Sequence, residues 1–269
     1  MIYIIPYILI STFQYQIAQD SLKYSSPFLF MALRYLIGSL FLFGVARSFK
    51  PIINKDTIVL SILTFASSAF WIVGLEYVSP SESAILTYTM PLMAIPISSV
   101  ILSEKATGKE WAGAAVGFIG VLVYSVATFE TRTLSAFGAV LTLINAFFWG
   151  MYTIYYRKLR NQDSTTTVAT QLLFGALPFL LLAPIGYSLQ VTPVFWFDLI
   201  YLSIVSAGVS FLLWNALARI NEVGKTSTLI YSTPVAVTAV QCVETSALPA
   251  PVSLVGLFLM LFGIYLARL

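Results

Sequence analysis

The sequence predicts an all-α polytopic membrane protein, with ten transmembrane helices folded as two inverted five-helix repeats. Three observations lead there. The 269 residues are 59% apolar and only 9% charged, whereas a soluble domain carries roughly a quarter charged residues. Residues 71–124 and 214–267 align without gaps at an offset of 143, with eight identities over 54 pairs. The charges flanking these two copies have opposite signs, because Glu76 falls on Arg219 and Glu82 on Lys225. Lys and Arg are retained on the cytoplasmic side of a membrane. Acid at one place and base at its equivalent therefore imply copies that sit upside-down to one another, as in alternating-access transporters.

A bilayer span needs about 20 predominantly apolar residues. Ten stretches qualify, near 2–20, 27–46, 57–77, 82–103, 109–128, 134–156, 165–187, 194–217, 225–245 and 250–268. The first begins at Met1 without a basic leader or a small-residue cleavage site, so it is expected to be retained. The third and eighth are paired by Trp71 and Trp214, the fourth and ninth by Tyr88/Tyr231 and Pro91/Pro234. The fifth and tenth are paired by Gly113/Gly256 and Gly120/Gly263, and the first two helices of each half align more loosely. There an offset of 137 puts Gly38 on Gly175 and Arg34 on Gln171. The halves are expected at 1–130 and 131–269. Connections of a few residues leave no room for a soluble catalytic domain.

Basic residues set the expected orientation. With the N-terminus inside, 11 of the 14 lie in inner loops or at the inner C-terminus: Arg47, Lys50, Lys55, Lys105, Lys109, Arg157, Lys158, Arg160, Arg219, Lys225 and Arg268. Only Lys23 and Arg132 lie outside, and Arg34 lies within the second helix. Both termini are thus expected in the cytoplasm, with the short loops suiting a prokaryotic plasma membrane. The net charge of +3 is spread over several loops and points to no nucleic acid partner.

Several chemistries are excluded. The chain has no His and one Cys, Cys242, so an internal disulfide, a thiolate cluster and a His-based metal site or proton shuttle all lack their groups. No cofactor or metal is expected. Gly224-Lys225-Thr226 imitates the end of a phosphate-binding loop, but position 219 is Arg where that loop needs Gly, and no strand precedes it. No enzyme is indicated.

The local text "FLFMALRYLIG" (28–38), "VSPSESAILTYTMPLMAIPISSVILSEKATGKEWAGAAVGFIGVLVY" (78–124) and "NAFFWGMYTIYYRKL" (145–159) resembles the drug/metabolite transporter superfamily, specifically its EamA-type members. The resemblance covers nearly the whole chain. It departs at Phe13-Gln14, where Trp-Gly is usual, and at 243–247, where Gly-Glu usually precedes the last helix. Glu104 retains the acid in the first half. The resemblance implies export or exchange of small metabolites such as amino acids through a central cavity, with the fifth and tenth helices away from the transport path.

The residues themselves point to a cavity. Polar side chains at the membrane midplane cannot be satisfied by lipid. Asn145, Trp149 and Tyr152 share one helical face, and Gln14, with Gln16 nearby, offers an amide at similar depth. Tyr88 and Tyr231 each stand three residues before a proline. With Trp71 and Trp214, these are the expected substrate-binding residues, and a bond to a neighbouring helix is the alternative for each amide. Pro91 and Pro234 remove a backbone hydrogen bond in mid-helix and are expected as hinges or static bends. Arg34, an intramembrane charge, either meets a substrate carboxylate or pairs with an acid such as Asp20. Trp111 and Trp196 suit the interfacial aromatic belt. Asp20, Glu76, Glu82, Glu130, Asp198 and Glu244 all fall at outer helix ends, so no proton-relay carboxylate is visible. The glycines at 113, 117, 120, 256 and 263 read as packing surfaces, within the chain or between two copies in a homodimer. The expectation is a secondary transporter for a small, partly apolar metabolite, probed first with amino acids. A passive channel and a non-transporting scaffold or receptor on the same fold are the rivals.

Overall fold

The computed structural model describes residues 3–104, 106–129, 135–159, 163–246 and 248–269, and only the backbone at 81, 127–129, 237 and 240–245. Lys105, Glu130, Arg132 and Arg160, the side chains of Cys242 and Glu244, and the junction at 130/131 lie outside the described residues. Among the described residues the chain forms ten helical rods and no strand, save one isolated bridge between Ser25 and Leu189. They are α1 (Ile4–Ser21), α2 (Pro27–Ala46), α3 (Lys55–Gly74), α4 (Pro80–Thr87 and Met90–Ile101) and α5 (Gly108–Phe129). The second half has α6 (Ala136–Lys158), α7 (Ser164–Leu182), α8 (Pro193–Ile200, a π-helical stretch Tyr201–Ser210, then Phe211–Ile220), α9 (Val223–Ser227, a 3₁₀ turn Thr228–Tyr231, then Ser232–Thr245) and α10 (Pro251–Arg268).

Among the described residues eight rods are long and apolar enough to cross a bilayer. The other two, α1 and α9, were also expected as spans, and both carry more polar residues. The α1 rod carries Gln14, Gln16, Gln19 and Asp20, and α9 carries Lys225 and a run of Ser and Thr. Gln14 of α1 and Thr233 of α9 face the bundle interior, where protein rather than lipid surrounds them. The chain is an all-α membrane protein.

Local chemistry sets the helix starts. Asn54 and Thr57 form a reciprocal capping box at α3, and Ser79 and Glu82 form another at α4. The side chain of Asp163 accepts from Thr166 N at 2.8 Å and starts α7. The rods that carry Pro91 and Pro234 are interrupted at these prolines rather than merely bent, whereas Pro178 lies inside a continuous α7. Proline lacks the N–H and crowds the preceding turn, so the chain tightens to i→i−3 bonds. Thr89 N meets Leu86 O at 3.2 Å, and Leu92 N meets Thr89 O at 3.0 Å. In α9 the 3₁₀ turn ends at Tyr231, three residues before Pro234. At the offset of 143 the two interruptions coincide.

Packing follows the same numbering. Rod α3 packs on α6 and α7, α4 packs on α6, and α8 packs on α1 and α2 while α9 packs on α1. Advancing every rod by five turns the first set into the second, and turns the pairs α2/α7 and α5/α10 into themselves. Rods α5 and α10 meet through glycines. A Cβ on Gly113 would stand 2.5 Å from Gly263 O, and one on Gly120 would stand 2.7 Å from Gly256 O. Only glycine permits that approach. Since 113 pairs with 263 and 120 with 256, these equivalent helices run antiparallel. Gly117 lies against the Tyr231 ring, so all five glycines meet partners within one chain.

Candidate functional site

Seven rods surround a cavity of about 70 Å³. Rod α1 contributes Tyr7, Ser11, Gln14 and Tyr15, which is why α1 is the more polar rod. Arg34 comes from α2, and Ser67, Ser68 and Trp71 come from α3. Rod α4 adds Thr87 and Tyr88 at its interruption, and α6 adds Asn145 and Trp149. Rods α8 and α9 supply Ser206, Ser210, Phe211, Ile230 and Thr233. On α2, α3 and α4 the lining positions fall in the halves nearest the loops at 22–26 and 75–79, here called the first face. Among the described residues no acidic side chain lines the cavity.

Asn145 bridges two rods across this space. Its Oδ1 accepts from Ser67 Oγ at 2.8 Å, and its Nδ2 donates to Thr87 Oγ1 at 3.3 Å. Arg34 is 3% exposed and anchored to the π-helical stretch of α8. Its Nε donates to Leu202 O at 3.0 Å and its Nη2 to Ser206 Oγ at 3.0 Å, while Nη1 approaches Met31 Sδ at 3.6 Å. Ser206 Oγ in turn donates to Gln14 Oε1 at 2.6 Å. The guanidinium carbon lies 5.2 Å from the centre of the Trp71 ring, a cation–π contact. The buried Trp71 Nε1 has no hydrogen-bond partner, and Tyr88 Oη faces Thr233 without a bond of normal geometry.

Of the residues expected from the sequence, Gln14, Arg34, Trp71, Tyr88, Asn145 and Trp149 line this cavity; Tyr152, Trp214 and Tyr231 do not. Tyr152 stacks behind Trp149 with ring centres 5.1 Å apart, and its hydroxyl donates to Asn215 Oδ1 at 2.9 Å. Trp214 Nε1 donates to Thr153 Oγ1 at 2.9 Å, and Tyr231 Oη donates to Ala114 O at 3.0 Å. These polar groups are engaged by neighbouring helices, which turns them away from the empty space. Gln16 is exposed on the far side of α1. The pairing of Arg34 with Asp20 is not found, because Asp20 holds Lys23 at 2.5 Å. Pro91 and Pro234 are buried beside the two interruptions without lining the cavity, and Trp111 and Trp196 are exposed on the outside, at 42% and 49%. Sequence reasoning missed the hydroxyl groups. A signal existed for Ser67 and Ser210, which are equivalent at the offset of 143 and both line the cavity.

The repeat-related residues occupy contrasting environments. All four are buried, but Trp71 and Tyr88 line the cavity while Trp214 and Tyr231 are packed away from it. Arg34 lines it, while Gln171 is sealed at 0% and donates from Nε2 to Tyr152 Oη at 3.1 Å. Opposite the first face, the loops at 47–54, 102–107, 159–163 and 221–222 form the second face. Here Glu104 Oε1 accepts from Arg157 Nε at 2.8 Å, and Glu104 Oε2 accepts from Val223 N at 3.1 Å. Arg157 also donates to the carbonyl of Arg219.

A bundle of apolar rods around a cavity, with no catalytic constellation among the described residues, defines the class as a polytopic α-helical membrane protein. The model of the EamA-like transporter family matches residues 1–126 and 136–269, and the chain belongs to that family. It is 44% identical to an "Uncharacterized transporter in sor 3'region" of Acidianus ambivalens, over 89% of this chain and 93% of that one. It is 25% identical to a "Probable amino-acid metabolite efflux pump" of Salmonella typhimurium, over 91% and 86% of the two chains. A "Riboflavin transporter" of Vibrio cholerae is 31% identical over 51% of this chain and 46% of its own. A solved crystal structure shares the fold, with a TM-score of 0.82, 22% identity, and coverage of 99% of this chain and 95% of that one.

Proposed function

We propose that the chain is a secondary transporter that moves a small, partly apolar metabolite by alternating access, amino acids being the first class to test. Its halves, 1–130 and 131–269, act as inverted repeats, with both termini on the cytoplasmic side of the plasma membrane. The observation that carries this reading is the contrast between equivalent residues. Trp71 and Tyr88 face the cavity, and Trp214 and Tyr231 are sealed toward the second face. If the halves exchange conformations, the sealed pair becomes the lining pair and the cavity opens on the other side. The bound solute rests against Gln14, Asn145, Trp149, Trp71 and Tyr88 in the state observed. Tyr152, Trp214 and Tyr231 join the lining in the opposite state. The interruptions before Pro91 and Pro234 are the hinges.

The division of the family match into two segments supports the repeat, and the name of the Salmonella relative supports amino acids as the first class. Counterflow in proteoliposomes tests the reading, with pools of unlabelled amino acids inside and one labelled amino acid outside. Transient accumulation that Asn145→Ala slows is the expected result. A flux that never saturates and shows no counterflow would sink it.

A further inference from the structure

Arg34 carries a full charge into a cavity that no acid lines among the described residues. A guanidinium has five N–H donors, and three have partners here: Nε on Leu202 O, one on Ser206 Oγ, and one on the weak acceptor Met31 Sδ. One N–H on each terminal nitrogen is left, in the fork geometry that matches a carboxylate. No ion pair involves Arg34 among the described residues, and the acid nearest in sequence, Asp20, is engaged by Lys23. An unpaired charge at membrane depth is costly, and anchoring it to a carbonyl and a hydroxyl fixes its position without neutralising it.

The rest of the lining says what else the solute must be. Trp71, Trp149 and Phe211 offer apolar ring surface, and Ser67, Asn145 and Thr87 offer neutral hydrogen bonds. Nothing in the lining offers a carboxylate to an ammonium group. A zwitterion would leave its cationic end opposed by no charge and the site at net +1, whereas a monoanion makes the filled cavity neutral.

We propose that the cargo is a net-anionic organic acid with an apolar or aromatic body, its carboxylate docked on the Arg34 fork. This rests on the transporter reading and, among its small, partly apolar metabolites, places organic anions ahead of zwitterionic amino acids. It also explains the π-helical stretch in α8. By shifting the backbone register, that stretch presents Leu202 O and Ser206 Oγ to Arg34. The matching part of α3 is regular helix, and Gln171, equivalent to Arg34, is neutral. The charge site therefore exists once, not twice.

The test compares four probes of one body: phenylalanine, its amide, its 2-oxo acid and N-acetylphenylalanine. Binding to the purified full-length protein is read from tryptophan fluorescence, since Trp71 touches the guanidinium. Transport is read as inhibition of counterflow. The 2-oxo acid and the N-acetyl compound are expected to bind about tenfold to a hundredfold more tightly than phenylalanine, the amide most weakly. Arg34→Gln should erase that ranking, and Arg34→Lys should restore part of it, because a point charge keeps the sign but loses the fork. Equal affinity for phenylalanine and its N-acetyl derivative would overturn the proposal. So would an Arg34→Gln variant that folds, as judged by its thermal transition, and keeps the ranking. Anion binding without counterflow of any solute would sink the transporter reading and leave the anion site standing. Counterflow of zwitterions alone would do the reverse.

Discussion

Glu104 and Arg157 meet at 2.8 Å on the second face, and they join three segments that the chain keeps far apart. Glu104 follows α4, Arg157 ends α6, and the other oxygen of Glu104 receives the backbone N–H of Val223 at the start of α9. Both side chains are largely shielded, at 22% and 11% exposure, so the pair is screened less than a surface bridge. It fastens the end of the bundle at which Trp214 is sealed.

Loosening that fastening should favour the opposite state. Glu104→Gln keeps the shape and removes the charge, at an expected cost of about 1–2 kcal/mol. In a Cys242→Ser background, a cysteine placed at 214 should react several-fold faster with a water-soluble thiol reagent once Glu104→Gln is added. A cysteine at 71 should react more slowly. Unchanged rates at both positions would rule out the fastening role.

Asn145 ties α6 to Ser67 on α3 and Thr87 on α4, next to the break in α4. Asn145→Ala should slow counterflow about tenfold, equivalent to about 1.4 kcal/mol. Its thermal stability should fall by no more than about 0.6–2 kcal/mol, as for other interhelical bonds in membranes. A large loss of stability with normal transport would assign the amide to packing alone.

The glycine contact between α5 and α10 predicts intolerance to bulk. A Cβ at Gly263 would stand 2.6 Å from Gly113 O and from the Gly117 backbone nitrogen. Gly263→Leu should therefore lower stability by about 1–3 kcal/mol or more through overpacking, measured by thermal unfolding in detergent. Gly44→Ala is the control, because a Cβ there meets nothing within 4 Å.

The prolines separate hinge from binding. Pro91→Ala restores a backbone donor and should let the two parts of α4 join. The maximal counterflow rate is expected to fall several-fold while half-saturation stays within about twofold, because Pro91 does not line the cavity. A change in affinity alone would argue against the hinge.

Much of the fold was legible because the bilayer constrains it locally. Apolar length fixed where rods begin and end to within a few residues, as at α2, whose bounds match the expected 27–46. The prolines announced both interruptions, since a missing N–H acts within one turn. The glycines at 113, 120, 256 and 263 announced a close contact, though the sequence left open whether it joined two copies or one chain with itself. The π-helical stretch in α8 gave no warning, because no residue type specifies that register shift. The site was half legible. Asn145 and Trp149 share a face by helical period, and both line the cavity. Tyr152 shares that face too, yet lies one turn deeper, where Gln171 and Asn215 claim its hydroxyl.

By itself the sequence determined the class of solvent, the number and order of the rods, and the pairing of equivalent residues. These follow from composition, hydrogen-bond donors and charge along a few turns. Only the tertiary structure decided which member of each pair faces the cavity. Trp71 and Trp214 are the same residue in equivalent helices, and one has a free indole N–H while the other is bonded to Thr153. Only the tertiary structure also placed Arg34 against α8 without an acid, because the partners of a buried charge lie 168 and 172 residues away along the chain.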